Sequence, residues 1–164
     1  TASLTIAEAA EEPRIVALQP GVFALTAEPG GTLSLDLGGL HMEAPTPEIG
    51  RCTGLILSVL SLPPWSRDTE AAATTAWLYL GGTLGAHVTG PVEIGGTALD
   101  APTLIGGAPG RPGLVGTLRS PRLANAAVNF FTGMQRSAGL CDERPAAADP
   151  HAGRTGETAA RLAP

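Results

Sequence analysis

Three histidines, His41, His87 and His151, are the natural proton carriers of this chain, and no two of them lie close in sequence. There is no His-x-x-His pair, no paired-cysteine motif and no Gly-x-Ser-x-Gly elbow, so no single stretch writes out a metal site or a nucleophile with its base. The histidines read as structural or solvent-facing. Glycoside hydrolysis needs two carboxylates about 5 to 10 Å apart. The extended segments supply Asp36, Glu43 and Glu93 only singly, so the pattern predicts no catalysis.

Calcium is the one cofactor for which the chain offers oxygen ligands: Asp68 with Glu70, Asp100 in the Ala98-Leu-Asp-Ala turn, and Asn125. No loop concentrates three carboxylates, and each residue reads first as an ordinary turn or cap residue. For a sugar, the physical minimum is an aromatic ring that stacks on the pyranose face, with hydrogen-bonding side chains beside it. Trp65, followed by Ser66, Arg67 and Asp68, fits that description best. Trp77 and Tyr79 alternate on one face of a strand and form a second candidate platform, against core packing for at least one of them. The segment Gly106-Gly-Ala-Pro-Gly-Arg-Pro-Gly113 lacks the Lys-Ser/Thr ending and long helix of a phosphate loop, and reads as a turn.

The elements that must position these residues are strands. The 22 Gly and 15 Pro among 164 residues are nearly twice the usual share of about 12%. Helix interiors tolerate neither, so the excess predicts an all-β domain with many tight turns. The net charge is −5, and all 10 basic residues are arginines scattered along the chain. A phosphate-binding surface needs clustered positive charge, which argues against nucleic acid as a partner. No apolar run reaches the 18 residues or so of a membrane-spanning helix, so no membrane insertion is expected. Cys52 and Cys141 allow one disulfide, but read as two small buried or half-buried thiols.

Taken in order, residues 1–13 read as an N-terminal flank, weakly helical from Leu4 to Glu12 and ended by Pro13. From Arg14 the pattern is short apolar segments separated by turns: 15–18, 22–26, 33–37 and 40–44. Leu33, Leu35 and Leu37 alternate with Ser34 and Asp36, which puts the leucines on one face of a strand. Residues 52–62 are long enough for a helix, but their Gly, Ser and Val content and the Pro63-Pro64 stop suit a strand buried on both faces. Residues 75–80 and 83–88 form a hairpin across Gly81-Gly82. Residues 102–131 read as a closing hairpin, strand, glycine loop and strand, that exits into a short helix capped by Asn125 and Gly139. Residues 141–164 are polar, with no apolar run, and form a tail or a strap for a partner.

Trp77-Leu-Tyr-Leu-Gly-Gly-Thr-Leu-Gly-Ala resembles the strand-turn-strand hairpin of laminin G-like and concanavalin A-like domains. Thr103-Leu-Ile-Gly-Gly, with Gly113-Leu-Val-Gly-Thr-Leu-Arg-Ser-Pro-Arg-Leu-Ala-Asn-Ala-Ala, resembles the closing element of the same domains. The resemblance covers about residues 75 to 138 and implies an antiparallel jelly-roll β-sandwich over residues 14–140, with one short helix near the C-terminus. It implies binding of glycans or proteins, often with a rim calcium ion, and a place in the fibres or spikes of phage and phage-like particles. The expectation is therefore a non-catalytic glycan-binding or adhesion domain, reading a cell-surface glycan through Trp65, Arg67, Asp68, Trp77 and Tyr79. The alternative is a structural assembly protein that oligomerises with other protein subunits of a particle.

Overall fold

The computed structural model describes residues 1–62, 73–94, 98, 100–122 and 127–142. It contains strands β1 (Ala2–Ile6), β2 (Arg14–Gln19), β3 (Phe23–Glu28), β4 (Thr32–Leu37), β5 (Leu40–Pro45), β6 (Thr53–Leu62), β7 (Ala73–Leu80), β8 (Thr83–Gly90), β9 (Leu104–Ile105) and β10 (Gly116–Arg119), then helix α1 (Phe130–Gly139). The strands form two five-stranded antiparallel sheets. The front sheet runs β10-β1-β6-β7-β8 and the back sheet β5-β4-β3-β2-β9. The domain is thus the expected antiparallel β-sandwich with one short helix after its last strand.

Alternation along each strand decides which residues meet between the sheets. In the back sheet, Leu35 stands opposite Leu25 on one side and Met42 on the other, and Leu33 lies between Ala27 and Ala44. All six are buried, and they pack against Leu4, Leu55, Ala76 and Leu78 of the front sheet. Two-residue diglycine turns hold this register. Gly38 and Gly39 have φ of 49° and 94°, and Gly81 and Gly82 have 54° and 91°. Positive φ at both central positions gives the turn whose twist matches that of the flanking strands, and only glycine adopts it freely.

Three expectations are corrected. The supposed helical flank is strand β1, which lies inside the front sheet between β6 and β10. Ala2, Leu4 and Ile6 are all buried, so residues 2–6 belong to the sandwich, which does not begin at Arg14. The two strands within residues 102–131 do not pair with each other: β9 pairs with β2 in the back sheet, whereas β10 pairs with β1 in the front sheet. The Gly/Pro loop between them therefore crosses from one sheet to the other. Its bend is tight at Gly113, where an added Cβ would collide with the Gly106 carbonyl. Ile15 donates to Pro112 O and Leu114 donates to Ile15 O, which ties the crossing to β2. The first two strands thus pair with the last two, β1 with β10 in one sheet and β2 with β9 in the other, which closes the sandwich.

The third correction concerns the cysteines. Cys52 and Cys141 form a disulfide, with Cα atoms 5.9 Å apart across a sequence separation of 89. It ties the residue before β6 to the residue after the C-cap of α1. The helix itself starts later than expected: its N-cap is Asn129, whose side chain accepts from the Thr132 amide at 2.9 Å. Asn125 lies outside the described residues, as does the tail from residue 143.

Candidate functional site

The outer face of the front sheet carries two of the candidate residues, Trp77 and Tyr79. Ile56 and Ser58 on β6 stand opposite Tyr79 and Trp77 on β7, and Trp77 stands opposite His87 on β8. Helix α1 lies over one end of this face. Gly54 is the contact point near the helix C-terminus, where an added Cβ would run into the Ser137 carbonyl oxygen. Ser137 is fully buried, and its hydroxyl accepts from the Gly82 amide at 3.0 Å while donating to Met134 O. Just before the helix, Val128 is held at both ends: its amide donates to Ser58 Oγ at 2.9 Å, and its carbonyl accepts from the same hydroxyl.

This arrangement separates the two aromatics of β7. Tyr79 is 0% exposed, covered by the helix at Gly133, whose hydrogen points at the phenol ring. It serves as the floor on which α1 rests and is closed to a ligand. Its hydroxyl is buried with no hydrogen-bond partner among the described residues, and burial raises its pKa above the ordinary tyrosine value. Trp77, two residues earlier on the same face, stays half-buried, with exposed His87 beside it. One step further, the Thr75 and Thr89 hydroxyls hydrogen-bond each other at 3.0 Å.

At the start of α1 an aromatic pair points away from the sheet. Phe130 meets the edge of Tyr79 at a ring separation of 6.3 Å, and Phe131 meets Phe130 edge-on at 5.6 Å. Phe130 is 43% exposed and Phe131 77%, while Leu60, on the same face as Ser58, is 38% exposed. An exposed phenylalanine of this degree is unusual, and here it extends a ladder of rings from the sheet into solvent. The helix expected between Asn125 and Gly139 assigns neither phenylalanine a role. A signal was present, since adjacent phenylalanines on a short helix cannot both face one sheet.

A second polar group lies on the outer face of the back sheet. His41 Nδ1 is 2.9 Å from Asp36 Oδ1, and its Nε2 is 3.3 Å from Glu43 Oε1. Hydrogen bonds to the two carboxylates, Asp36 first and Glu43 second, raise the histidine pKa above its ordinary value. Sequence reasoning treated Asp36 and Glu43 as isolated. The Gly38-Gly39 turn puts Asp36 directly opposite His41, so the cluster was readable from that turn. Both ring nitrogens face carboxylate oxygens, an arrangement that favours the doubly protonated ring.

Trp65, Arg67 and Asp68 lie outside the described residues, with Asn125. Asp100 is exposed in a short turn. Among the described residues, no three His, Cys, Asp or Glu side chains come together to hold a metal ion. A cleft of about 630 Å³ opens beside the disulfide, lined in part by Glu48, Arg51, Gly81 and Asp142. Arg51 and Glu48 form an exposed pair at 3.4 Å at its rim. No family model, no curated protein and no solved structure matches this chain.

Proposed function

We propose that the domain is a non-catalytic structural subunit that docks onto a second copy of itself through the α1 end of the front sheet. The observation that carries this reading is the exposed Phe130–Phe131 pair, seated on Tyr79, with exposed Leu60 on the same face of the sheet. Aromatic anchors backed by a rigid floor are the usual centres of protein interfaces, and the disulfide and the Ser58–Val128 clasp hold this floor in place. Homo-oligomers with a two-fold axis are the commonest protein assemblies, and a patch centred on Phe131 meets itself across such an axis. A role in the fibre or spike of a phage-like particle fits the same reading, and rests on the resemblance of residues 75 to 138.

Sedimentation velocity across a concentration series tests it. Each Phe131 withdrawn from water contributes about 1.5–3 kcal/mol. Two copies meet in a symmetric pair, so Phe131→Ser weakens association at least about tenfold. Wild type and variant that are both monomers throughout the series contradict the proposal.

A second reading has its own support. Half-buried Trp77, with His87 and the Thr75 and Thr89 hydroxyls beside it, offers a ring and hydrogen-bonding groups on one exposed surface, which is the chemistry of sugar recognition. A glycan array probed with wild type and Trp77→Ala tests this: binding lost in the variant supports a glycan reader, and no binding by wild type removes it.

A further inference from the structure

The two sheets do not meet evenly along their length. Near β9 and β10 a partly open cavity of about 660 Å³ separates them. Its walls are Leu55, Leu57 and Leu118 from the front sheet and Ala17, Phe23 and Leu25 from the back sheet. The volume lies within the range of about 300–1,000 Å³ typical of small-molecule sites, which are mostly apolar with a few placed polar groups. The charged side chains that line it are Arg122, after β10, and Arg136, on α1, and both are exposed, so they stand where the cavity meets solvent; Thr1, whose ammonium donates to the Arg122 carbonyl at 2.7 Å, lines it beside them. Neither arginine makes an ion pair among the described residues, and no carboxylate among them lines the cavity. In a chain with a net charge of −5, two unpaired arginines on the rim of one apolar cavity are a local reversal of sign.

We infer that this cavity binds an amphipathic carboxylate, a saturated fatty acid of medium chain length, with the alkyl chain between the sheets and the carboxylate at Arg122 and Arg136. The division of labour follows from the lining. The inner walls present leucine, alanine and phenylalanine side chains, so a chain of methylenes is withdrawn from water without stranding a polar group. Guanidinium groups present planar pairs of donors that match a carboxylate and are more weakly hydrated than ammonium groups, which suits them to a partly desolvated rim. The cavity adjoins the aromatic patch, since Asn129 and Thr132 on either side of Phe130 and Phe131 line it, but the inference does not depend on self-association.

The test is isothermal titration of the whole chain with octanoate, decanoate and dodecanoate below their micelle concentrations, with dodecanol as the uncharged control. Each methylene withdrawn from water is expected to tighten binding about fourfold until the cavity is filled. Arg122→Gln and Arg136→Gln change exposed side chains and leave the sandwich intact. Each should weaken dodecanoate about threefold to fivefold, as for a solvent-accessible ion pair, and leave dodecanol unaffected. Methyl resonances of Leu25, Leu55, Leu57 and Leu118 should shift on dodecanoate binding, while those of Leu33, Met42 and Ala44, which do not line the cavity, stay in place. Three results overturn the inference: no saturable binding by any of the acids, affinity independent of chain length, or methyl shifts confined to the outer face. Equal loss of dodecanol and dodecanoate in the arginine variants overturns the carboxylate assignment.

Discussion

Gly133 sits in the middle of α1, where helix propensity alone favours alanine over glycine by about 1 kcal/mol. Tertiary packing opposes that gain. A Cβ at this position would stand 2.5 Å from Tyr79 Cε2, 2.6 Å from Cζ and 2.9 Å from Cδ2. The ring is fully buried and hemmed in by Phe130, so it cannot swing away as an exposed side chain would. The helix must lift instead, against the disulfide and the Ser137 and Ser58 hydrogen bonds. Overpacking costs about 1–3 kcal/mol, and a fixed ring 2.5 Å from the new Cβ puts this site in the upper half of that range, so after the propensity gain of about 1 kcal/mol Gly133→Ala is expected to destabilise the domain by about 1–2 kcal/mol net. Gly139 is the internal control: it lies in the same helix, and an added Cβ there meets nothing within 4 Å. Gly139→Ala should be neutral or stabilising by up to about 1 kcal/mol. Urea unfolding at pH 7, followed by circular dichroism, measures both. A Gly133→Ala protein as stable as wild type, with an unchanged denaturant slope, would show that α1 does not rest on Tyr79 as described.

Further perturbations probe other parts of the same structure. Tyr79→Phe removes a buried hydroxyl that has no partner among the described residues. It should therefore raise stability by about 1 kcal/mol, and a loss above that size by urea unfolding would mean the hydroxyl is bonded. Replacing both Cys52 and Cys141 by serine opens a loop of 89 residues, and loop-closure entropy puts the cost at about 4–5 kcal/mol. Thermal unfolding of wild type with and without reductant checks this, and equal midpoints would contradict it. Because its folded pKa is raised, His41 contributes stability that is fully present below its ordinary pKa and is lost as pH rises through the higher folded value. An NMR titration should place His41 above the usual value of about 6.5, and Asp36→Asn should bring it back down.

The parts of the fold that were legible in the sequence are those set by local chemistry. Strands β2 to β5 follow from leucine alternation and glycine-bounded turns, and the β7–β8 hairpin from Gly81-Gly82. The misreadings arise where the deciding partner lies far along the chain. In β1, Ala2, Leu4 and Ile6 do alternate with Ser3 and Thr5, but the Ala/Glu run that follows outweighed so short a pattern. Nothing local says whether the two strands flanking residues 106–115 share a sheet. Their length is the clue, since it exceeds the two to five residues of a common hairpin loop. The Cys52–Cys141 pair depends on α1 folding back over β6. The same is true of the candidate site: Trp77 and Tyr79 were placed on one face correctly, but which of them the helix covers was decided by Gly133. Val59 and Leu60 are 37% and 38% exposed, so only the first half of β6 is buried on both faces, where the helix lies over it.

The central claim, that the face around Phe131 meets another copy of the chain, is tested most directly by a photoreactive benzoyl-phenylalanine placed at position 131. Irradiation of the assembled protein is expected to give a covalent dimer, with the linked peptide of the second copy drawn from Leu60 or from the start of α1, as a two-fold interface requires. Irradiated protein that stays monomeric, or a link that falls on the outer face of the back sheet around His41, would contradict the account.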